Sequence, residues 1–189
     1  MARRKTITRE DILEAAFKLV ASEGFGHFTA RNVATKVGSS TQPIYLEFKN
    51  MDDLKDAVYE KIYHYLGDEV FPVRHTGDII VDMCLNYIHF AKREKKLYFA
   101  LYLDSAADGN RMEEFSKKYF AKKIQEDAYY RDFDDEKLNS LRLGSWITAT
   151  GIASLMSAGI IHPSDEEIIQ FLEDGNKAIE ALDHPIQVN

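Results

Sequence analysis

Residues 29–48, TARNVATKVGSSTQPIYLEF, decide the fold of the N-terminal part of the chain. Thr29 is predicted to cap a short helix that ends at Gly38, where the chain turns. A second helix follows at once if Ser40 is its cap, because Pro43 then falls in the first turn, where a backbone N–H has no intrahelical partner to lose. Two short helices joined by a glycine-containing turn are typical of a helix-turn-helix.

Helical periodicity continues on both sides of this motif. Upstream, Thr8 precedes an apolar face with helical spacing, and Gly24 ends that helix. Downstream, Asn50 caps a fourth helix, and Ser164 with Glu167 forms a capping box before the last one. No segment alternates like a strand, so the prediction is an all-α fold. Its parts are a three-helix head at 1–50 with the helix-turn-helix at 29–48, a connecting helix at 51–70, and a helical domain at 71–189. The helices of that last domain are predicted near 78–92, 95–104, 111–131, 135–160 and 165–182.

Charge is distributed unevenly along the 189 residues, whose net charge is −7. Residues 1–50 carry eight Lys and Arg against five Asp and Glu, a balance of +3, while the other 139 residues carry 16 against 26, a balance of −10. A basic head on an acidic body is typical of a nucleic-acid binder with a second task. Chance is the alternative, since three of the eight bases are Arg3, Arg4 and Lys5.

Other composition signals exclude several classes of protein. The single cysteine, Cys84, rules out an intrachain disulfide. No apolar run follows the basic start, so we predict neither a signal peptide nor a membrane span and expect the chain in the cytoplasm. The six histidines show no metal-ligand spacing, and no nucleophile or nucleotide-binding motif occurs. We therefore expect no metal, no cofactor and no enzymatic activity.

The second helix of a helix-turn-helix places its N-terminal residues against base edges in the major groove. Gln42 suits an adenine edge and Thr41 a thymine methyl. The predicted base-contacting residues are Ser39, Ser40, Thr41 and Gln42. Side chains that hold phosphates fix the register without reading sequence, and those placed to do so are Thr29, Arg31, Tyr45 and Lys49. The alternative is a three-helix bundle that binds nothing, in which Ser39 is only a turn residue.

From Ile12 to Leu54 the chain resembles the TetR family of bacterial one-component regulators. The resemblance implies a three-helix DNA-binding head, a linking fourth helix, and an all-helical C-terminal domain that binds a ligand and dimerises. It also implies that Thr29 and Tyr45 contact phosphate. The positions that carry it are Ile12, Ala15, Ala16, Leu19, Gly24, Phe25, Thr29, Val33, Ala34, Val37, Gly38, Ser40, Ile44, Tyr45, Phe48, Lys49, Asn50 and Leu54.

Two positions depart from the pattern that the resemblance implies. Met51 stands where Lys is usual, and Glu47 stands where His or Tyr is common. Phosphates repel a carboxylate, so no DNA contact is assigned to Glu47. These departures leave open a second function, a protein-binding adaptor on the same fold with weak or lost DNA binding.

Large aromatic side chains are concentrated in residues 71–133, which hold twelve of the 22 aromatic residues. An apolar cavity with a few phenolic hydroxyls suits a small, flat, lipophilic ligand. Ordinary core packing is the alternative for each of these side chains. The predicted pocket residues are Tyr87, Phe90, Tyr98, Phe99, Tyr102, Phe115, Tyr119 and Trp146.

The last two predicted helices are candidates for a homodimer interface. Small residues in the first let another helix approach closely, and the second has an apolar face. The predicted interface residues are Gly144, Thr148, Gly151, Leu155, Ile168, Phe171, Leu172 and Ile179. Burial of one helix within the monomer is the alternative. The sequence thus predicts a transcriptional repressor that binds a palindromic double-stranded DNA operator as a homodimer and is released by a small lipophilic or aromatic ligand.

Overall fold

The computed structural model describes residues 7–186, in which helices are joined by turns and no strand is present. The all-α prediction is therefore confirmed. A 3₁₀ turn at Phe25–His27 follows the first helix, and a π-helical segment, Tyr65–Val70, continues the fourth. Arg3, Arg4 and Lys5 lie outside the described residues, as do the outer ends of the predicted head and body. The α-helices are α1 Arg9–Glu23, α2 Ala30–Val37, α3 Gln42–Glu47, α4 Met51–His64, α5 Ile79–Arg93, α6 Lys95–Tyr102, α7 Gly109–Gln125, α8 Asp135–Ser157 and α9 Asp165–Glu180.

The described residues form two compact units. The first comprises residues 7–66 and 96–109, and the second comprises residues 67–95 and 110–186. The sequence-based boundaries assign 96–109 to the C-terminal domain, whereas in the structure this segment packs with the head. Tyr59 contributes to that packing, because its fully buried hydroxyl accepts a hydrogen bond from the Asp108 N–H at 3.0 Å.

Local signals set the helix ends, as the sequence predicts. Thr8 and Asp11 form a capping box in which Thr8 Oγ1 accepts from the Asp11 N–H at 3.2 Å and Asp11 Oδ2 accepts from the Thr8 N–H at 3.0 Å. Ser164 and Glu167 form the second capping box. Gly38 ends α2 with a φ of +78°, a backbone conformation that favours glycine.

One helix boundary is wrong in the sequence prediction: α7 ends at Gln125, not near residue 131. Asp127 Oδ1 accepts hydrogen bonds from the backbone N–H groups of Tyr129 and Tyr130, at 2.8 and 3.2 Å. This carboxylate offers the backbone a partner other than a helical carbonyl, so a turn replaces further helix.

Helix α5 is buried along most of its length and packs against α8 and α9 in the second unit. Asp82 on α5 is only 1% exposed. Its carboxylate accepts from the N–H groups of His75 and Thr76 at 3.1 and 2.8 Å, and thereby fixes the loop before α5. Within residues 7–186, no helix has the length and apolarity needed to cross a bilayer.

Candidate nucleic-acid interface

Helices α2 and α3 form the predicted helix-turn-helix. Thr29 begins α2, since its Oγ1 accepts from the Asn32 N–H at 3.2 Å. Pro43 lies in the first turn of α3, as predicted. The cap of α3 is Thr41, one residue later than the predicted Ser40, and its side chain makes no capping hydrogen bond. The turn between the helices is thus longer than the sequence suggests, which leaves more polar side chains in it.

Helix α3 has one anchored face and one open face. Ile44 is fully buried and Phe48 is 2% exposed, so both hold α3 against the rest of the first unit. Gln42, Tyr45 and Leu46 fall on the opposite side at the helical period of about 3.6 residues, and Tyr45 and Leu46 are 54% and 76% exposed. The outward face can therefore contact a partner without disturbing the fold.

Three of the four predicted base-contacting residues present exposed side chains: Ser40, Thr41 and Gln42. Ser39 is half-buried, and its hydroxyl donates to the Ser40 carbonyl oxygen at 2.8 Å. Because the Ser39 hydroxyl proton is used in a hydrogen bond within the turn, the interpretation of Ser39 as a turn residue is favoured over direct base contact.

The predicted phosphate-holding residues are all exposed: Thr29, Arg31, Tyr45 and Lys49. Thr29 Oγ1 already accepts one hydrogen bond within α2, so its hydroxyl proton is available to a phosphate oxygen. Arg31 and Lys49 form no ion pair among residues 7–186, whereas Lys36 lies 3.5 Å from a carboxylate of α1. Arg31 and Lys49 are thus available to neutralise phosphates.

The sequence analysis did not include Leu46 among the candidate contact residues. The signal was present, because Leu46 lies between Ile44 and Phe48 in sequence but off their face of the helix. A large apolar side chain that is 76% exposed on a reading helix suits the thymine methyl in the major groove. Glu47 is also exposed and forms no ion pair within the described part of the chain.

The predicted ligand residues are divided between the two units. Tyr98, Phe99 and Tyr102 belong to the first unit, where Phe99 is 55% exposed and Tyr98 is buried. Tyr98 and Tyr102 pack with ring centroids 5.6 Å apart, and burial raises the pKa of Tyr102. These packed rings fit the core interpretation that the sequence left open.

The other five predicted ligand residues lie in the second unit: Tyr87, Phe90, Phe115, Tyr119 and Trp146. Phe115 and Tyr119 form an aromatic cluster with Phe71, and Tyr119 lines a cavity of about 120 Å³. The buried Tyr119 hydroxyl has no hydrogen-bond partner among the described residues, and burial raises its pKa to about 12. Tyr87 Oη lies 3.2 Å from Thr150 Oγ1 on α8, and Phe90 is fully buried.

A cleft of about 450 Å³ in the second unit was not predicted. Tyr129 and Tyr130 line it together with carboxylates, among them Asp78 and Glu180. Each tyrosine hydroxyl donates to a carboxylate, Tyr130 to Asp78 at 2.8 Å and Tyr129 to Glu180 at 2.9 Å. The acidic lining gives this cleft a different character from the apolar pocket that the sequence suggested.

The predicted dimer residues fall into two groups. Gly144 packs directly against Ile179, and Ile168 and Leu172 are each 1% exposed. Gly144 and Ile179 therefore meet between α8 and α9 within one chain, and the burial of Ile168 and Leu172 leaves these two almost no surface for a second copy. Thr148 is half-buried. The residues that present exposed surface are Gly151, Leu155 and Phe171, joined by Ile147, which the sequence prediction did not include.

Comparisons with known proteins agree with this geometry. Residues 12–58 match the family model of bacterial regulatory proteins of the tetR family. Among curated protein sequences, none matches the chain. A structure from Vibrio parahaemolyticus, described as a TetR-family transcriptional regulator, is 20% identical, covers 90% of this chain and 97% of its own, and gives a TM-score of 0.60.

Two further solved structures share the fold. A TetR-family transcription regulator from Marinobacter aquaeolei VT8 is 12% identical, with 90% of this chain and 94% of its own covered and a TM-score of 0.61. The fatty acid degradation regulator FadR from Bacillus halodurans is 12% identical, with 96% and 100% covered and a TM-score of 0.56. Residues 12–58 thus match the tetR-type regulatory domain, and the chain shares the fold of these regulators, which supports a DNA-binding transcriptional regulator.

Proposed function

We propose that this regulator is a repressor that binds a palindromic operator as a homodimer through α3 and is released by a small ligand. One observation carries the DNA-binding part, namely the two-sided α3. Ile44 and Phe48 fix the helix in the first unit, while Gln42, Tyr45 and Leu46 face outward. A rigid helix that presents amide, phenol and apolar groups suits direct readout in the major groove.

The polar groups around α3 have distinct roles in this proposal. Gln42 and Thr41 read base edges, and Thr29, Arg31 and Lys49 hold phosphates on either side. Phosphate contacts set the register and supply most of the salt-dependent affinity. Sequence discrimination therefore depends on the first group, and overall affinity depends on the second.

The dimer is proposed on the exposed apolar surface of α8 and α9. Ile147 and Leu155 on α8 are 55% and 41% exposed, and Phe171 on α9 is 62% exposed. Gly151 lies between the two α8 residues and lets a facing helix approach closely. Association of two copies would bury these side chains and place two α3 helices on one face of the DNA.

Release by a ligand requires only modest coupling between the two binding events. A tenfold loss of operator affinity corresponds to about 1.4 kcal/mol, which is ordinary for allosteric proteins. The chain passes from the first unit to the second inside the π-helical segment Tyr65–Val70. Such segments are frequent at functional positions, so we propose this segment and α4 as the transmitter in a regulator that works in the cytoplasm.

Fluorescence anisotropy with DNA from beside the protein's own coding region tests the proposal. Specific binding should exceed binding to a scrambled duplex by at least about a thousandfold and should weaken steeply as salt rises. Light scattering should give twice the 21.7 kDa monomer mass. Equal, weak binding to both duplexes at low salt would contradict the DNA-binding proposal, and a monomer at micromolar concentration would contradict the dimer.

Leu46 and Glu47 favour one competing function, a protein-binding adaptor. An exposed leucine beside an exposed carboxylate on α3 also suits a protein surface. For an adaptor, DNA binding is weak or lost, and Glu47→Gln would not restore specific binding. For an operator-binding repressor, the same variant should tighten DNA binding, because one charge that phosphates repel is removed.

A further inference from the structure

Two charged side chains are buried in the second unit, and only one of them is fully partnered. Asp82 is 1% exposed and accepts hydrogen bonds from the loop before α5. Arg142 on α8 is 6% exposed, and its Nη1 has no hydrogen-bond partner among the described residues. A guanidinium removed from water is unfavourable unless an anion or several acceptors compensate it.

The existing neighbours of Arg142 do not provide that compensation. Its Nη2 donates to Asn139 Oδ1 at 3.0 Å, which is a neutral acceptor. The nearest carboxylate, Glu113 on α7, lies 4.0 Å from Nη2, beyond hydrogen-bonding distance. The same Glu113 oxygen lies 2.9 Å from Lys117 Nζ. Glu113 is thus paired with a lysine, and the guanidinium has no hydrogen-bonded carboxylate among the described residues.

Glu113 places a partly exposed carboxylate near the guanidinium. Its side chain is 41% exposed, and its Oε1 lies 4.0 Å from Arg142 Nη2. A ligand carboxylate that takes the position next to Nη1 and Nη2 would form the paired hydrogen bonds that a guanidinium favours. Glu113 can then remain with Lys117.

Side chains farther along α8 suit the rest of such a ligand. Trp146 and Thr150 follow Arg142 at intervals of four residues, so the three lie along one side of the helix. Trp146 is half-buried, and Thr150 already pairs with Tyr87 of α5. This side of α8 therefore carries a cation, Arg142, at one end and the aromatic surface of Trp146 beyond it.

We infer that Arg142 binds the anionic group of the small-molecule effector, which is a carboxylate on an apolar or aromatic body. The inference rests on the ligand response in the proposed function, and it assigns that ligand a chemical class. Arg142 is the specificity-determining residue, and Glu113 is a competing carboxylate that weakens anion binding.

The protein contains one tryptophan, Trp146, whose fluorescence reports binding one turn away from Arg142. The full chain is titrated with decanoate and phenylacetate, and with the uncharged decan-1-ol and 2-phenylethanol. The carboxylates should shift Trp146 emission at concentrations at least tenfold lower than the alcohols require, about the effect of one charge-assisted hydrogen bond.

Three variants test the assignment. Arg142→Met should weaken carboxylate binding about tenfold or more without lowering Tm, because replacing a poorly paired buried charge by an apolar side chain is often neutral or stabilising. Glu113→Gln should tighten carboxylate binding, because the competing charge is removed. Arg131→Met, the same change at an exposed arginine, should alter neither.

Several results would overturn the assignment: carboxylates and alcohols that bind alike, no response of Trp146 to either carboxylate, undiminished binding in Arg142→Met, or weaker binding in Glu113→Gln. A large fall in Tm for Arg142→Met would also contradict it, because it would mean that the guanidinium is well paired within the protein. These titrations contain no DNA, so their outcome is independent of whether the protein binds an operator.

Discussion

Replacing Leu46 by alanine should weaken operator binding while changing the stability of the first unit very little. The side chain is 76% exposed, so folding buries only about a quarter of it. Complete burial of a leucine contributes about 1.5–3 kcal/mol, which limits the loss of folding stability to under ~1 kcal/mol. If the DNA groove buries the remainder, binding loses about 1–2 kcal/mol, or a factor of about 5 to 30 in Kd.

Anisotropy titrations of Leu46→Ala at fixed salt, paired with thermal melts, measure both quantities. Leu46→Met keeps the apolar bulk and should bind nearly as the parent does. Ile44→Ala is the control on the buried face, where Ile44 is fully inaccessible; it should lose about 2–5 kcal/mol of stability. The reasoning is refuted if Leu46→Ala binds the operator like the parent, or if it melts as low as Ile44→Ala.

Further predictions follow from the same surfaces. Tyr45→Phe should weaken binding to all duplexes alike, whereas Gln42→Ala should reduce discrimination at one base pair per half-site. A panel of single-base operator variants measures both effects. The reverse pattern would mean that Tyr45 reads a base and Gln42 contacts phosphate. Phe171→Glu should give monomers in light scattering. Its Tm should change little, because the Phe171 side chain is 62% exposed. A variant that stays dimeric would show that α9 is not part of the interface. Gly144→Ala should lower the free energy of unfolding by about 1–3 kcal/mol, because the new methyl meets Ile179. Adding Ile179→Ala should recover part of that loss. Stability losses that simply add in the double variant would exclude the contact.

Local sequence signals predicted most of the helix ends, because each depends on a few neighbouring residues. Thr8, Thr29, Asn50 and Ser164 all cap the helices that they were expected to cap. Where a side chain offered the backbone a competing partner, prediction failed, as at Asp127.

Burial was harder to predict than helix formation. Gly144 and Ile179 were predicted to contact a second copy of the chain, yet they pack against each other within one chain. A small-residue stripe indicates close approach of a helix and does not say which helix approaches. The same limit applies to the aromatic residues, since Tyr98 fills a core while Phe99 beside it is exposed.

A DNA-binding regulator could be predicted from residues 1–50 because the helix-turn-helix is a motif of neighbouring residues. Arg142 could not be singled out from sequence, since its significance depends on burial and on the position of Glu113 in a different helix. Leu46 likewise becomes informative only once Ile44 and Phe48 are known to be buried.

A crystal structure of the protein bound to a duplex that it selects from a random pool tests the central claim most directly. The account predicts two copies on an inverted repeat, with α3 in successive major grooves and Gln42 within hydrogen-bonding distance of a base edge. A complex in which α3 faces solvent, or in which a single copy contacts only phosphates, would contradict it.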